Sequence, residues 1–433
     1  MLNIKFLLNF KEKLFHPDRF HLFKNFTSLS SVQAINYIFP LIVIPYIVRI
    51  IGVEKFGVIS FAQAIISYFI VIVTFGFNLY MPKEISINRD NINKLRDVFW
   101  NIMYSRILLC LLTGFLYIFL ILFIKNFRNE FLVFLFTFGY VLSNVFLPIW
   151  FYQGIEKMTY IAVLNFLTKI LQVILILIFV RLRQDYIFIP LIYSTSELIL
   201  GIIAMINIVF YFNIKPVRFK LLEVYSVLKD SFILFISSVS VSIYNKFPPI
   251  FLGFFAGNIY VGYYAAAEKL FFAWMAIQTQ LTNTLYPYVS NMVKKETIKY
   301  AINFIRKIFY LTLIFSGCVS LFTFIFAKYI ILIIYGHEFI ESIFVLRILC
   351  LLFVIIGAGH VFGIEVMLPF NMKKQFFIPI FTASIVSLIS CFILIPYYKH
   401  IGAALSFLIS EICVTGLMFI FLEIKGIKII NRE

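Results

Sequence analysis

Charged residues are scarce in this chain. Only 13% of its 433 residues are Asp, Glu, Lys or Arg, whereas 62% are hydrophobic. The mean hydropathy of +1.00 lies far above the range of soluble globular proteins, which excludes a water-soluble fold. A net charge of +17 would suggest nucleic-acid binding in a soluble protein. In so apolar a chain the placement of the basic residues matters more than their total, and we predict no nucleic-acid partner.

Enzyme signatures are missing as well. The sequence contains no GxSxG, HExxH or P-loop motif, and the segments between its apolar stretches are too short to hold a catalytic domain. All five cysteines lie within apolar stretches, without a CxxC pair or a metal-like spacing, so we interpret them as small packing residues. We therefore predict a protein that is not an enzyme and that uses no cofactor or metal.

What the chain does contain is a series of twelve apolar stretches, each long enough to cross a bilayer, which takes about 20 residues. They lie near residues 28–48, 57–80, 99–124, 131–151, 159–180, 187–212, 231–254, 262–289, 308–335, 342–368, 375–396 and 401–421. The sequence thus predicts an all-α, polytopic membrane protein with twelve transmembrane helices, whose environment is the lipid bilayer.

The basic residues predict the orientation of these spans. If the N-terminus is cytoplasmic, most lysines and arginines outside the spans fall in cytoplasmic segments, as the positive-inside rule requires. Both termini are then cytoplasmic. The first 27 residues are basic and lack the apolar core of a secretory signal, which favours a retained surface helix.

The most polar internal connection divides the spans into two sets of six. The predicted divisions are a surface segment 1–27, a first lobe 28–213, a linker 214–230, a second lobe 231–424 and a tail 425–433. Two features recur in order in both halves: the glycine pair Gly52/Gly57 matches Gly257/Gly262, and the pair Ser196-Glu197 matches Ser410-Glu411. Because each half has an even number of spans, this predicts a parallel repeat about an axis along the membrane normal.

Polar residues recur at helical spacing in spans one, two, seven and eight. Lipid offers no partner to a hydroxyl or an amide, so such stripes favour a face turned to the bundle interior. We predict a central cavity between the lobes, and the alternative is ordinary hydrogen bonding between helices. The polar residues predicted to line the cavity are Gln33, Asn36, Ser60, Gln63, Ser67, Ser242, Asn245 and Gln280.

Ionisable residues within spans are costly unless they are paired or hydrated. Lys246 and Lys269 lie on polar stripes with only Glu268 nearby as a counter-charge, and Arg49 ends span one. We predict that these three basic residues form a cationic cavity for an anionic ligand, phosphate above all. The alternative is that Lys246 pairs with a carboxylate for packing only.

Other ionisable residues in the spans are given structural roles. Lys169 and Glu197 are interpreted as an ion pair between consecutive spans, whereas Arg106 and Lys328 are expected to snorkel to an interface.

Four motifs together resemble a known family. They are residues 44–57 (IPYIVRIIGVEKFG), 148–158 (PIWFYQGIEKM), 252–257 (LGFFAG) and 261–269 (VGYYAAAEK). The chain resembles bacterial polysaccharide-unit flippases of the O-antigen translocase type, within the multidrug/oligosaccharidyl-lipid/polysaccharide exporter superfamily. In related lipid-linked precursor flippases an arginine stands at the place of Arg49 and serves the cavity. Phe254 occupies the matching place in the second half, so the cationic site is not duplicated.

The resemblance implies a V-shaped bundle in the bacterial cytoplasmic membrane that works by alternating access. It implies transport of an undecaprenyl-pyrophosphate-linked oligosaccharide of O-antigen or capsule type to the periplasmic leaflet, in the company of the polysaccharide polymerase machinery. A proton or sodium ion is hypothesised to drive transport, with Glu268, Glu365 and Glu411 as candidate carriers. Two rivals stay open: a cation-coupled drug exporter of the same superfamily, and a membrane O-antigen polymerase or ligase, which would ordinarily need a large periplasmic loop.

Overall fold

In the computed structural model the described residues, 17–295 and 298–430, are helical or irregular and contain no strand. The α-helices are α1 Pro17–Thr74, α2 Phe77–Asn88, α3 Ile92–Phe123, α4 Lys125–Asn129, α5 Phe131–Thr137, α6 Gly139–Phe146, α7 Ile149–Gly154, α8 Met158–Phe179, α9 Phe188–Ile206, α10 Leu221–Phe255, α11 Asn258–Lys295, α12 Ile298–Ile334, α13 Ser342–His360 and α14 Lys373–Ile424. Short 3₁₀ segments cover Arg183–Ile187 and His337–Phe339, and π-helical segments cover Asn207–Tyr211 and Val361–Met367. The predicted all-helical membrane fold is confirmed.

Nine helical segments in the described part of the chain are long and apolar enough to cross a membrane. Helix α11, predicted as span eight, is not among them although it is 38 residues long. Its polar residues lower its hydropathy, and it can carry them because it packs inside the bundle against α1. The number twelve stays a prediction.

Two of the long helices are each interrupted once. Helix α1 is broken at Gly52 (φ 74°, ψ 173°), a backbone conformation open only to glycine. Helix α14 is broken at Lys399 (φ 49°). A methyl group added to Gly402 would lie 2.5 Å from the carbonyl oxygen of Leu394. A straight helix separates residues eight apart by about 12 Å, so the chain reverses at Lys399 and α14 comprises two antiparallel segments.

The described helices before and after residues 212–220 are called here the first lobe (17–211) and the second lobe (221–430), and one apolar core contains buried residues of both. At the end that contains Gly52 and Gly257, called here the glycine end, one cluster joins buried residues of both lobes, including Phe56, Phe61, Val261 and Ala265. At the opposite end, called the linker end because residues 212–220 cross between lobes there, most buried residues fall into two clusters, one on each lobe. The lobes also meet there through Phe75 and Phe235, whose rings stack with their centres 4.3 Å apart. The shared core therefore joins the lobes chiefly at the glycine end.

The two glycine motifs hold the lobes together by direct backbone contact. A side chain on Gly57 would collide with the carbonyl oxygen of Asn258, and one on Gly262 would collide with the carbonyl oxygen of Val53. Asn258 and Val53 each follow the first glycine of their motif, so the contact is reciprocal. Residues recognised in the sequence as an internal repeat therefore lie against each other across the lobe boundary.

At the linker end, the connection between the lobes is fastened to α3. Trp100 Nε1 donates to the carbonyl oxygen of Ile214 at 3.0 Å, and the Tyr104 hydroxyl donates to that of Val217. Asn101 Nδ2 donates to Glu223 Oε2, in the first turn of α10, at 2.6 Å. One face of α3 thus fixes the point at which the chain enters the second lobe.

The expectation that Arg106 snorkels to an interface is wrong. Its side chain is 1% exposed and donates to Asn78 Oδ1 at 2.8 Å and to the Asn144 carbonyl oxygen at 3.1 Å. The guanidinium lies 5.7 Å from the centre of the Trp150 ring. It therefore braces the interior of the first lobe, whereas Lys328 is exposed on α12, as expected.

Replacing Gly57 or Gly262 by alanine should destabilise the contact between the lobes, because each added methyl meets backbone that cannot rotate away. We expect a loss of about 1–3 kcal/mol, the usual cost of overpacking, measured as a lower melting temperature of the purified protein in detergent. Gly317→Ala is the matched control, since a methyl there meets nothing within 4 Å. Equal melting of all three variants would contradict a close backbone contact.

Candidate functional site

A cavity of about 350 Å³ lies between the lobes, towards the linker side of the glycine contacts. It has room for on the order of ten water molecules. The first lobe lines it with residues of α1, α6, α8 and α9, and the second lobe with residues of α10 and α11. Spans one, two, seven and eight were predicted to surround such a cavity, and α1, α10 and α11 contain them.

The second lobe supplies two lysines to the cavity, and we call Lys246, Glu268 and Lys269 the lysine wall. Lys246 Nζ lies 3.6 Å from Glu268 Oε1, too far for a strong hydrogen bond. No carboxylate of the described residues lies within 4 Å of Lys269 Nζ, which instead lies 4.7 Å from the centre of the Phe56 ring in the first lobe. This wall therefore carries an uncompensated positive charge.

The first lobe supplies a second ion pair that the sequence assigned to structure alone. Lys169 Nζ lies 3.7 Å from Glu197 Oε1, so the predicted pair is present, and both residues line the cavity. Lys169 also donates to Gln172 Oε1 at 3.1 Å, and the Ser143 hydroxyl lies 3.5 Å from Glu197 Oε2. The clue in the sequence was that both charges fall at mid-depth in consecutive spans, where water from a cavity would hydrate them.

These charges leave the cavity positive. It contains three lysines and two glutamates, and its remaining surface is mostly apolar and aromatic. Ser60 and Gln63 lie on its wall, together with Tyr140. A low-dielectric, partly hydrated cleft of this kind attracts an anion more strongly than an open surface does.

Arg49 does not line the cavity, so its predicted placement is wrong in this conformation. It is exposed at the glycine end, where its Nη2 donates to the carbonyl oxygen of Ile333 at 2.7 Å. Nearby, the Val53 amide donates to Glu338 Oε2 at 3.3 Å. Both contacts join the two lobes, so Arg49 helps to close the glycine end.

Aromatic side chains complete this closure. Phe61 of the first lobe meets Phe254 of the second edge-to-face, with ring centres 5.3 Å apart. Phe56 lies 5.9 Å from Phe339 in the same way. Such pairs pack apolar rings across this end, and we infer that it is closed to water in this conformation.

Several predicted lining residues lie elsewhere. The Ser67 hydroxyl donates to the Ala64 carbonyl oxygen and that of Ser242 to the Ser238 carbonyl oxygen, so both are satisfied by their own helices. Within the described residues, the cavity wall does not include Ser67, Ser242, Asn245 or Gln280. The side chains of Gln33 and Asn36 lie outside the described part of the structure.

The three candidate ion carriers occupy different surroundings. Glu268 belongs to the lysine wall. Glu365 is fully buried in the π-helical segment of the second lobe, and neither of its carboxylate oxygens has a hydrogen-bond partner among the described residues. Glu411 is buried on α14. The structure does not bring the three together.

Comparison with known proteins identifies the family. Residues 22–293, more than half of the chain, match the family model described as polysaccharide biosynthesis protein. A curated relative from Escherichia coli (strain K12), named "Putative O-antigen transporter", is 33% identical over 94% of this chain and 98% of its own length. The chain belongs to this family. A protein of the same name from Shigella dysenteriae is 26% identical over 91% of this chain and 98% of its own length.

The resemblance drawn from the four motifs is thereby confirmed. Both relatives carry the name of a transporter, in agreement with the prediction that this chain is not an enzyme.

Solved structures share the fold. The lipid II flippase MurJ in an inward closed conformation has a TM-score of 0.66 at 14% identity, over 94% of this chain and 89% of that one. An inward-facing multidrug transporter of the same superfamily has a TM-score of 0.66 at 14% identity, over 93% and 99%. An outward-facing one has a TM-score of 0.58 at 13% identity, over 95% and 97%. The predicted superfamily fold is confirmed.

Because the glycine end is sealed, we expect water to reach the cavity from the linker end. In a cysteine-free background, Gln63→Cys should react with a charged methanethiosulfonate reagent, whereas Ser105→Cys, at a position that is 0% exposed within the first lobe, should not. Gln63→Cys should be labelled in inverted vesicles and protected in right-side-out vesicles. Faster labelling in right-side-out vesicles would show either that the orientation is reversed or that the glycine end opens first.

Proposed function

We propose that this protein is a flippase that moves undecaprenyl-pyrophosphate-linked oligosaccharides from the cytoplasmic to the periplasmic leaflet of the bacterial inner membrane. The observation that carries the proposal is the uncompensated positive charge of the lysine wall inside a cavity between two lobes. The names of the curated relatives support an O-antigen or a similar polysaccharide unit as the cargo.

The proposal answers a physical difficulty. A diphosphate and its sugars would lose their hydration in the bilayer interior, at a cost that prevents unaided crossing. A hydrated, cationic cleft supplies water and charge to the headgroup along the route. The polyprenyl tail needs neither, so it stays in the lipid while the headgroup crosses.

Alternating access follows from the unequal joining of the lobes. With both termini and the linker placed in the cytoplasm, the cavity of this conformation belongs to the cytoplasmic side. Rocking of the lobes would part the Arg49–Ile333 and Val53–Glu338 contacts and open the periplasmic side.

Net transport needs an energy source, and we propose counter-movement of a proton or sodium ion. Glu365 suits this role, since a fully buried carboxylate without a partner is costly when charged and favours a bound cation or proton. Glu268 and Glu411 remain candidates. The polymerase that joins the exported units is the expected partner on the periplasmic side.

The rival functions fit less well. A cation-coupled drug exporter would favour an acidic cavity, and this one has more lysines than glutamates. A polymerase or ligase would ordinarily need a large periplasmic loop, and the connections between spans at the glycine end are short within the described residues.

Replacing Lys269 or Lys246 by alanine should abolish surface polysaccharide, because the cavity would lose the charge that holds the diphosphate. The measurement is polysaccharide staining of cells that express each variant in a deletion strain, with membrane abundance checked by immunoblotting. Lys328→Ala is the matched control, since this lysine is exposed on the outer face of α12. Normal polysaccharide in both cavity variants, at normal abundance, would remove the lysine wall as the substrate site.

Deleting the gene should separate flipping from polymerisation. We expect complete, unpolymerised lipid-linked units to accumulate on the cytoplasmic leaflet, because synthesis continues while export stops. Lipid extraction, combined with modification of exposed sugars by an impermeant reagent, locates the units. Units that collect unjoined on the periplasmic leaflet would indicate a polymerase instead.

A further inference from the structure

The two walls of the cavity differ in chemistry. The lysine wall belongs to the second lobe and carries a net positive charge. The opposite wall, which we call the tyrosine wall, belongs to the first lobe and consists of Tyr140, Lys169, Tyr193 and Glu197. Its lysine and glutamate compensate each other at 3.7 Å, so this wall is neutral although it is rich in hydrogen-bonding groups.

The charges of the tyrosine wall are also satisfied more fully. Lys169 has Gln172 as a second partner at 3.1 Å, and Glu197 has Ser143 at 3.5 Å. By contrast, Glu268 Oε1 has no hydrogen-bond partner among the described residues, and Lys269 Nζ lies over the ring of Phe56 with no carboxylate of those residues within 4 Å. An incoming anion therefore gains much from the lysine wall and little from the tyrosine wall.

A neutral, polyhydroxylated ligand has the opposite preference. Sugar hydroxyls both donate and accept hydrogen bonds. A carboxylate can accept from them and an ammonium can donate to them, and because the two charges are paired the wall stays neutral. The side chain of Glu197 is 27% exposed and that of Lys169 is 15% exposed, so both can be reached from the cavity. Tyrosine rings add flat, amphipathic surfaces that suit the apolar faces of sugar rings.

From this asymmetry, and resting on the proposed function, we propose that the headgroup lies across the lobe boundary, with its diphosphate on the lysine wall and its first sugar on the tyrosine wall. The cavity volume of about 350 Å³ is near the lower end of the range for small-ligand pockets, about 300–1,000 Å³. It accommodates the diphosphate and the sugar next to it, and later sugars extend towards the linker end. Lys169, Glu197, Tyr140 and Tyr193 are then determinants of sugar specificity.

The test separates the two walls with two probes. The protein is placed in nanodiscs of phosphatidylcholine, and the dissociation constant is measured for undecaprenyl pyrophosphate and for the lipid-linked saccharide extracted from cells that lack the gene. The variants are Lys269→Ala for the lysine wall and the double variant Lys169→Gln with Glu197→Gln for the tyrosine wall. The double variant removes both charges and keeps the wall neutral.

We expect Lys269→Ala to raise the dissociation constant of both probes about tenfold or more, the usual effect of losing a charge-assisted contact. The double variant should change the dissociation constant of undecaprenyl pyrophosphate by no more than about twofold. It should raise that of the lipid-linked saccharide at least about fivefold. Glu156→Gln, at an exposed ion pair with Arg89, is the matched control for the glutamate. Melting temperatures of all variants check that they are folded.

Different results overturn the two proposals. The proposal that the two walls bind different parts of the headgroup is wrong if the double variant weakens binding of both probes equally or of neither. It is also wrong if the unaltered protein binds the two probes equally. The anionic site itself is wrong if Lys269→Ala binds both probes as the unaltered protein does. Should the double variant fail to fold, Tyr193→Ala alone tests the tyrosine wall with the same two probes and the same criteria.

Discussion

The structure depends on the backbone contact between two glycine motifs at one end of the bundle. Gly57 and Gly262 let the carbonyl oxygens of Asn258 and Val53 approach across the lobe boundary, which no larger residue would permit. The lobes also share one apolar core there, whereas most buried residues at the other end belong to a cluster on one lobe or the other. The cavity lies between the lobes beside the shared core, and its polar and charged residues can be tolerated because water can occupy it.

The electrostatics of the cavity follow from that geometry. A lysine at the middle of a membrane is costly in lipid but not beside water, and Lys169 of the first lobe lines the same space as Lys246 and Lys269 of the second. In the first lobe Glu197 neutralises Lys169, whereas in the second lobe one carboxylate, Glu268, serves two lysines. The positive charge that remains is uncompensated because the fold brings three lysines and only two glutamates together. An anionic headgroup would complete the balance.

The sequence predicted the fold and part of the site for identifiable reasons. Hydropathy predicted an all-helical membrane fold, and the repeated glycines marked the residues that meet across the lobe boundary. Ser60, Gln63, Lys246 and Lys269, which lie on the polar stripes of α1, α10 and α11, line the cavity, because periodicity indicates which face of a helix is turned inward. The placement of Arg49 and Arg106 failed for a common reason. Hydropathy gives the depth of a residue in the membrane, but the partner of an arginine, here the carbonyl oxygens of Ile333 and Asn144, comes from helices distant in sequence.

The repeat also shows how one scaffold carries two chemistries. Arg49 and Phe254 occupy matching places in the two halves. Arg49 donates to a carbonyl oxygen of the other lobe, and Phe254 packs on Phe61, so the two residues close the glycine end by different interactions. Glu197 and Glu411 match in the same way, but Glu197 faces the cavity beside Lys169, whereas Glu411 is buried away from it. The glycines that shape the backbone are thus the same in both halves, whereas the charged positions differ. Two identical lobes would present the same wall twice and would bind a ligand symmetrically. A headgroup that is charged at one end and neutral at the other requires walls that differ.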